Sequence, residues 1–107
     1  MFNISSIYPK KDGSRFDFDY YLNVHMPMSM EILSKANGYM GVSVERGIDI
    51  PDAKIESQYF AMCHYYFDTL ENFLAAFMPH AEELQGDIKN YTDVMPVNQI
   101  NKVEIRK

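Results

Sequence analysis

The sequence predicts an α+β domain in which a four-stranded antiparallel sheet carries two helices on one face. The predicted elements follow the order βαββαβ, and each half repeats a strand, an acidic helix start, an apolar stripe and a Met-Pro break near a histidine. A chain of 107 residues has the size of one domain. We therefore expect residues 1–107 to form a single ferredoxin-like, or split βαβ, domain.

The first half of the chain predicts a strand, a turn and an interrupted helix. Residues 1–8 alternate as a strand does, and residues 9–14 predict a turn around Gly13. The helix is expected to begin at Asp17, whose carboxylate can accept a backbone N–H of the first turn. Pro27 predicts a kink or a stop, because proline removes one helical donor. Helical spacing then resumes and ends at Gly38.

The first helix carries a histidine on its apolar face. Four side chains fall at positions i, i+3, i+4 and i+7: Phe18, Tyr21, Leu22 and His25. One interpretation is a core histidine hydrogen-bonded to Ser29 or to a tyrosine. The other is a general acid/base in a pocket, because histidine exchanges a proton easily near pH 7. The residue pattern leaves both interpretations open.

The second half predicts two strands, a helix and a last strand. Residues 39–48 and 58–67 predict strands separated by a polar loop, and residues 96–105 predict the last strand. Asp68, with Glu71 three residues later, predicts a second helix start close to a capping box. Pro79 is expected to open a further short helix that ends near residue 86, and residues 87–93 predict a polar loop.

The third strand predicts a homodimer. Both of its faces carry large apolar side chains, so we expect the strand to be covered on both sides. Two helices cover only one face of a four-stranded sheet. A second copy of the chain is the simplest cover for the other face.

Composition excludes several function classes. The net charge is −5 and no basic run occurs, which argues against nucleic acid and anionic membranes as partners. The single cysteine, Cys63, excludes an internal disulfide and agrees with a reducing compartment. No transmembrane stretch or signal peptide is visible, so we expect a cytoplasmic protein.

The motifs of the chain resemble one family. Four strings and two single residues carry the resemblance: RFDFDYYLNVHMP (15–27), SVERG (43–47), FMPHAEE (77–83), GDIKNYTD (86–93), Pro96 and Gln99. They are similar to the EthD family, named for ethyl tert-butyl ether degradation, within the dimeric α/β-barrel superfamily. The resemblance spans nearly the whole chain and implies a ferredoxin-like dimeric α/β barrel.

The resemblance also implies a kind of site. Members of the superfamily use a pocket between sheet and helices, lined by aromatic side chains and one or two histidines. By that resemblance His25 and Tyr21 carry over from the first motif, and His80 carries over from the third. Monooxygenase and haem-degrading relatives rely on a pocket tryptophan, which this chain lacks, and that speaks against both chemistries.

We assign candidate roles residue by residue. His25 is predicted to be the acid/base, with Tyr20 or Tyr21 binding a developing enolate or phenolate oxygen. Substrate binding is assigned to four further residues: Phe18, His64, His80 and Tyr91. The pattern does not decide which sheet face His64 occupies, and His80 fits either an exposed helix cap or the mouth of a pocket.

No metal or cofactor is predicted. The three histidines lack a short ligand spacing, and neither a CxxC nor an HExxH motif occurs. No glycine-rich phosphate loop is present either. Cys63, among apolar neighbours, is interpreted as a buried and inert thiol.

Two functions remain open on the sequence. The first is cofactor-independent isomerase, cyclase or oxygenase chemistry on a small aromatic or lactone-like compound, in catabolism or secondary metabolism. The second is a non-catalytic, ligand-binding dimer that supports a neighbouring oxygenase system. Both require a small-molecule ligand.

Overall fold

The four strands form one antiparallel sheet in a computed structural model that describes residues 1–107 throughout. Their spatial order is β2-β3-β1-β4. The strands are β1 (Phe2–Pro9), β2 (Tyr39–Arg46), β3 (Tyr59–Phe67) and β4 (Val97–Lys102). The helices lie on one face, so the predicted ferredoxin-like fold is confirmed.

The helical segments divide into two groups that follow β1 and β3. The first group is α1 (Phe18–Tyr20), a π-helical turn (Tyr21–His25) and α2 (Met26–Leu33). The second group is α3 (Leu70–Phe77), a 3-10 turn (Met78–His80), α4 (Ala81–Gly86) and a 3-10 turn (Ile88–Asn90). A further 3-10 turn, Pro51–Ala53, lies in the exposed connection between β2 and β3. No helix is both long and apolar enough to cross a bilayer.

The first helical group begins as predicted but is irregular in a different way. Asp17 has an extended backbone, and its Oδ1 accepts the backbone N–H of Tyr20 at 3.1 Å. The predicted kink at Pro27 takes the form of a π-helical turn that ends just before it. There the N–H of Met26 donates to the carbonyl of Tyr21, five residues back. Proline fits the start of α2 because the first residues of an α-helix need no N–H donor.

The second half of the chain differs from prediction in its helix cap, in the segment after α4 and in its last strand. Thr69, not Asp68, caps α3: its Oγ1 accepts the N–H of Asn72 at 3.2 Å. The carboxylate of Asp68 instead accepts the backbone N–H of Thr69 and the side-chain amide of Asn72. The predicted loop 87–93 contains the 3-10 turn Ile88–Asn90, and the last strand is shorter than the predicted 96–105.

Cross-strand pairs define the helix-facing side of the sheet. Tyr8 lies opposite Ala61, and Ile4 lies opposite Tyr65. From Ala61 to Phe67 of β3 the residues on this side are buried, whereas those between them are only half-buried. The core therefore sits between this side and the helices, where Met26, Leu33 and Phe73 pack on it.

The opposite side of the sheet, which no helix covers, is called the open face here. Ser5 and His64 pair on it, with Ser5 Oγ 2.7 Å from His64 Nδ1. Nε2 of the same histidine lies 3.1 Å from a carboxylate oxygen of Glu45. His64 therefore lies on the open face, a point that the sequence pattern did not decide.

Candidate functional site

A cavity of about 780 Å³ lies between the helix-facing side of the sheet and the helices. Strands β1, β3 and β4 form its floor, and α2, α3 and α4 with the segment after them form its walls. Most lining side chains are apolar, which is usual for small-molecule sites. Five buried polar side chains reach it: Tyr8, His25, Ser29, Tyr65 and Thr92.

His25 is held at the cavity by the π-helical turn and by an acidic partner. Its Nδ1 lies 2.9 Å from Oδ2 of Asp87, and 7% of the residue is exposed. Burial lowers the pKa of His25 by more than the nearby carboxylate raises it. The ring is therefore neutral near pH 7. Because a carboxylate only accepts, Nδ1–H donates to Asp87 and Nε2 keeps its lone pair.

Asp87 is fixed by three donors. Besides His25, the hydroxyl of Tyr20 donates to its Oδ1 at 2.7 Å, and the amide of Asn90 donates to the same oxygen at 2.9 Å. Burial pushes the pKa of Asp87 up, but the hydrogen bonds from Tyr20, Asn90 and His25 outweigh it and hold the pKa below its usual value. The carboxylate thus stays charged beside the imidazole.

Two tyrosine hydroxyls continue the hydrogen bonding from His25; His25, Tyr91 and Tyr8 together are called the hydroxyl line here. The hydroxyl of Tyr91 lies 3.4 Å from His25 Nε2, and it lies 2.6 Å from the hydroxyl of Tyr8. With Nε2 as an acceptor, Tyr91 donates to His25 and Tyr8 donates to Tyr91. Burial raises the pKa of Tyr8 to about 12 and raises that of Tyr91 as well, so both hydroxyls stay protonated. Only Tyr8 of these two lines the cavity.

The structure brings together three of the predicted site residues. His25 lines the cavity, Tyr20 holds Asp87, and Tyr91 lies directly behind the histidine. Tyr21 stacks on His25 with ring centroids 5.8 Å apart, but its hydroxyl is buried in the core and has no oxygen or nitrogen partner. Tyr21 is not among the residues that line the cavity, whereas Tyr8 is.

The other three predicted residues lie apart from the cavity. Phe18 packs under the guanidinium of Arg46, which is 3.9 Å from its ring centroid. His64 lies on the open face. His80 is exposed at the start of α4, with Nδ1 3.4 Å from Glu83, and borders a separate groove of about 300 Å³.

Several site residues were not singled out from the sequence. Asp87 lies 62 positions from His25 in a polar segment, and no periodicity connects the two. Tyr8 ends the first predicted strand. Its position on the same face as Ile4 was the only feature of the sequence that indicated it could reach the site. Ser29, considered as a partner of His25, instead pairs with Tyr65, their hydroxyl oxygens 2.6 Å apart.

The remaining chemistry-bearing groups add no second centre to the cavity. Burial raises the pKa of the Cys63 thiol to about 12, which agrees with the inert thiol expected. No three His, Cys, Asp or Glu side chains lie close enough together to hold a metal ion. The polar chemistry of the cavity therefore centres on His25 with Tyr8, and on the pair formed by Ser29 and Tyr65.

The fold and its internal cavity place the protein among the ferredoxin-like α+β domains that enclose a pocket between sheet and helices. Residues 13–94 match the family model of the EthD domain, so the chain belongs to the EthD family. No match to a curated protein was found.

Three solved structures resemble the whole chain. An EthD-like protein from Ralstonia eutropha JMP134 is 37% identical, with a TM-score of 0.87 over 99% of this chain and 94% of that one. An EthD family protein from Bacillus halodurans C-125 is 20% identical, with a TM-score of 0.66 over 96% and 98%. A protein described as an antibiotic biosynthesis monooxygenase from Bordetella bronchiseptica is 14% identical, with a TM-score of 0.60 over 97% of both chains.

Proposed function

We propose that this protein acts on a small aromatic or lactone-like compound by acid/base chemistry that needs no cofactor. The observation that carries the proposal is a neutral His25, oriented by Asp87, at the wall of a mostly apolar cavity. A histidine with a lone pair on Nε2 and a carboxylate on Nδ1 is equipped to accept a proton near neutral pH.

The hydroxyl line gives the proton a route. As a carbon acid or phenol of the substrate gives its proton to the oxygen of Tyr8, Tyr8 passes its own hydrogen to Tyr91. Tyr91 passes its hydrogen to Nε2 of His25. Asp87 then stabilises the imidazolium, and Tyr8 donates a hydrogen bond to the enolate or phenolate left behind. Return of the proton to a different atom completes an isomerisation. In a cyclisation the enolate instead attacks a second carbonyl carbon of the same molecule, and the oxygen of that carbonyl takes the proton.

The cavity lining supports a neutral, mostly apolar substrate. Of the lining side chains, only Lys89 and Asp93 are charged apart from the titratable histidine. An apolar cavity of about 780 Å³ has room for one or two rings. Oxygenase chemistry is the less favoured form of the proposal, because the chain has no tryptophan.

A non-catalytic role, as a ligand-binding or accessory protein for a neighbouring oxygenase system, is the second candidate. The observation that favours it is the separation of 3.4 Å between the Tyr91 hydroxyl and Nε2, near the limit for a hydrogen bond. A ligand that binds without closing this gap would stay unreacted.

A homodimer formed through the open face is part of the proposal. Met62, Ile7 and Val97 lie side by side across β3, β1 and β4 on that face, and Val97 is 53% exposed. A row of three apolar side chains on an uncovered face supports burial against a second copy.

Hydrogen–deuterium exchange tests the proposed chemistry directly. The purified protein is mixed in D₂O with α-angelica lactone or 2-tetralone, which both carry acidic C–H groups beside a carbonyl, and exchange is followed by NMR. The exchange rate with wild-type protein should exceed the rate in buffer alone. His25→Gln and Tyr8→Phe should each lower that rate by on the order of a hundredfold. Tyr66→Phe, on the open face, is the matched control. Exchange at the buffer rate with both compounds would decide for the accessory role.

A further inference from the structure

We propose that the hydroxyl pair of Ser29 and Tyr65 is a second polar binding point in the cavity. It selects ligands that carry two oxygen functions about one ring apart. The inference rests on the proposed function in one respect, because the proposed function places the reacting end of the ligand at Tyr8 and His25. The binding point itself follows from the geometry of the pair.

The pair has one hydrogen to spare. Ser29 and Tyr65 are 5% and 6% exposed, both line the cavity, and the hydroxyl of each bonds only to that of the other. Two hydroxyls carry two hydrogens, and their mutual bond of 2.6 Å uses one of them. Burial raises the pKa of Tyr65, so its hydrogen stays in place. The unused hydrogen is a buried donor at the cavity wall.

The position of the pair sets the distance between the two polar points. Ser29 follows His25 by four residues on one helix face, and side chains so spaced have Cβ atoms about 5–6 Å apart. His25 has α-helical backbone angles where it joins α2. Tyr65 approaches from β3, next to Ile4 on the helix-facing side. The hydroxyl pair therefore lies about one helical turn from His25 along the cavity wall, a spacing that a ligand with a single ring can span.

The lining near these two points is apolar or uncharged. The side chains of Met26, Leu33 and Phe73 are buried beside them, and the thiol of Cys63 is protonated. A flat ring fits such a space, whereas a charged substituent there would have no counter-ion. The ligand class is thus a neutral ring with a proton-donating group at one end and a hydrogen-bond acceptor at the other.

Binding of two related phenols tests this class without requiring turnover. 4-Hydroxyacetophenone has a carbonyl opposite its hydroxyl, whereas 4-ethylphenol has no acceptor there. Affinities of both are measured by calorimetry for wild type, for the double variant Ser29→Ala/Tyr65→Phe and for the control Tyr66→Phe. The double variant removes both hydroxyls together, because a single change would leave the other hydroxyl free to donate.

We expect the ratio of the two affinities to shift by about two- to tenfold toward 4-ethylphenol in the double variant, the usual size of one hydrogen bond. Tyr66→Phe should leave the ratio unchanged. An unchanged ratio in a folded double variant overturns the proposal, as does the absence of binding by both phenols to wild type at millimolar concentration.

Two further readouts separate this inference from the proposed function. In wild type, an intermolecular NOE should join the acetyl methyl group of 4-hydroxyacetophenone to the ring of Tyr65; an NOE to Tyr8 instead overturns the proposal even if the double variant does not fold. A protein that shows the ratio shift but no hydrogen exchange keeps the binding point and loses only the catalytic role.

Discussion

Nδ1 of His25 and Oδ2 of Asp87 lie 2.9 Å apart, although 62 positions separate the two residues in the chain. The pair joins the π-helical turn of the first half to the segment that follows α4 in the second. Since the side chains are only 9% and 14% exposed, the carboxylate acts on the imidazole with little screening by water. The pair therefore fixes which ring nitrogen carries the hydrogen.

Replacing Asp87 by Asn should release the tautomer of His25. An amide presents a donor as well as an acceptor, so Nδ1–H loses its strong partner and both ring nitrogens become partly protonated. ¹⁵N NMR of the His25 ring in wild type should show Nδ1 protonated and Nε2 free, and averaged shifts in the variant. We also expect a loss of about 1–3 kcal/mol in the free energy of unfolding. Asp19→Asn, an exposed change, is the control, and identical ring shifts in all three proteins would contradict the assignment.

Stability should fall as the pH decreases below about 6.5, and His25 should be a cause. The pKa of His25 is lowered in the folded protein, chiefly by burial. Between the unfolded value of about 6.5 and the lower folded value, the unfolded chain binds more protons, so acid favours unfolding. Urea unfolding from pH 7.5 to 5.5 should show a slope no steeper than about 1.4 kcal/mol per pH unit from this group. A His25→Gln variant with the same pH slope as wild type would refute this cause.

Replacement by alanine should affect stability differently at two glycines. Gly38 has φ +82°, and a Cβ there would overlap with the carboxylate of Asp68. Gly38→Ala should therefore cost more than about 1 kcal/mol. Gly86, near the end of α4, has open space where a Cβ would lie, so Gly86→Ala should be neutral or stabilising by up to about 1 kcal/mol. Thermal melting of both variants measures these changes in stability. Equal melting temperatures would count against the left-handed conformation at Gly38.

Asp17→Ala should destabilise the fold and leave the site chemistry intact. The change removes the acceptor for the N–H of Tyr20 but keeps the backbone bond from Asp17 N–H to the carbonyl of Tyr91 at 2.7 Å. Losing the cap should cost roughly 0.5–2 kcal/mol. The comparison is made with Asp19→Ala at equal protein concentration, and a variant that melts with wild type would remove Asp17 from this role.

The proposed dimer predicts the mass of the particle in solution. Light scattering at micromolar concentration should give twice the 12.5 kDa of one chain. Ile7→Lys places a charge in the middle of the apolar row on the open face, so it should shift the protein toward the monomer. Wild type that scatters as a stable single chain would rule the dimer out.

Sequence patterns predicted local features well and missed contacts between distant segments. The Asp17 cap, the burial of Tyr21 with His25 and the alternation of β3 depend on neighbours within a few positions, so periodicity reveals them. Leu22, predicted on the same stripe, is 46% exposed, because the π-helical turn breaks the α-helical spacing. The partners of His25 come from residues 87 and 91, which only the closed chain brings near. The cap at Thr69 was missed because Asp68 and Thr69 are adjacent and both suit the position.

The π-helical turn makes the site depend on the number of residues in the first helical group as well as on their identity. A turn closed by a bond five residues back holds one residue more than an α-helical turn. Removing one exposed residue there, such as Val24, would allow a regular helix, but it would rotate one half of the segment against the other by about 100°. Either the Asp17 cap or the position of His25 and Ser29 at the cavity would then be lost. A homologue that keeps the histidine but is one residue shorter here could keep the cap or the position of the histidine at the cavity, but not both.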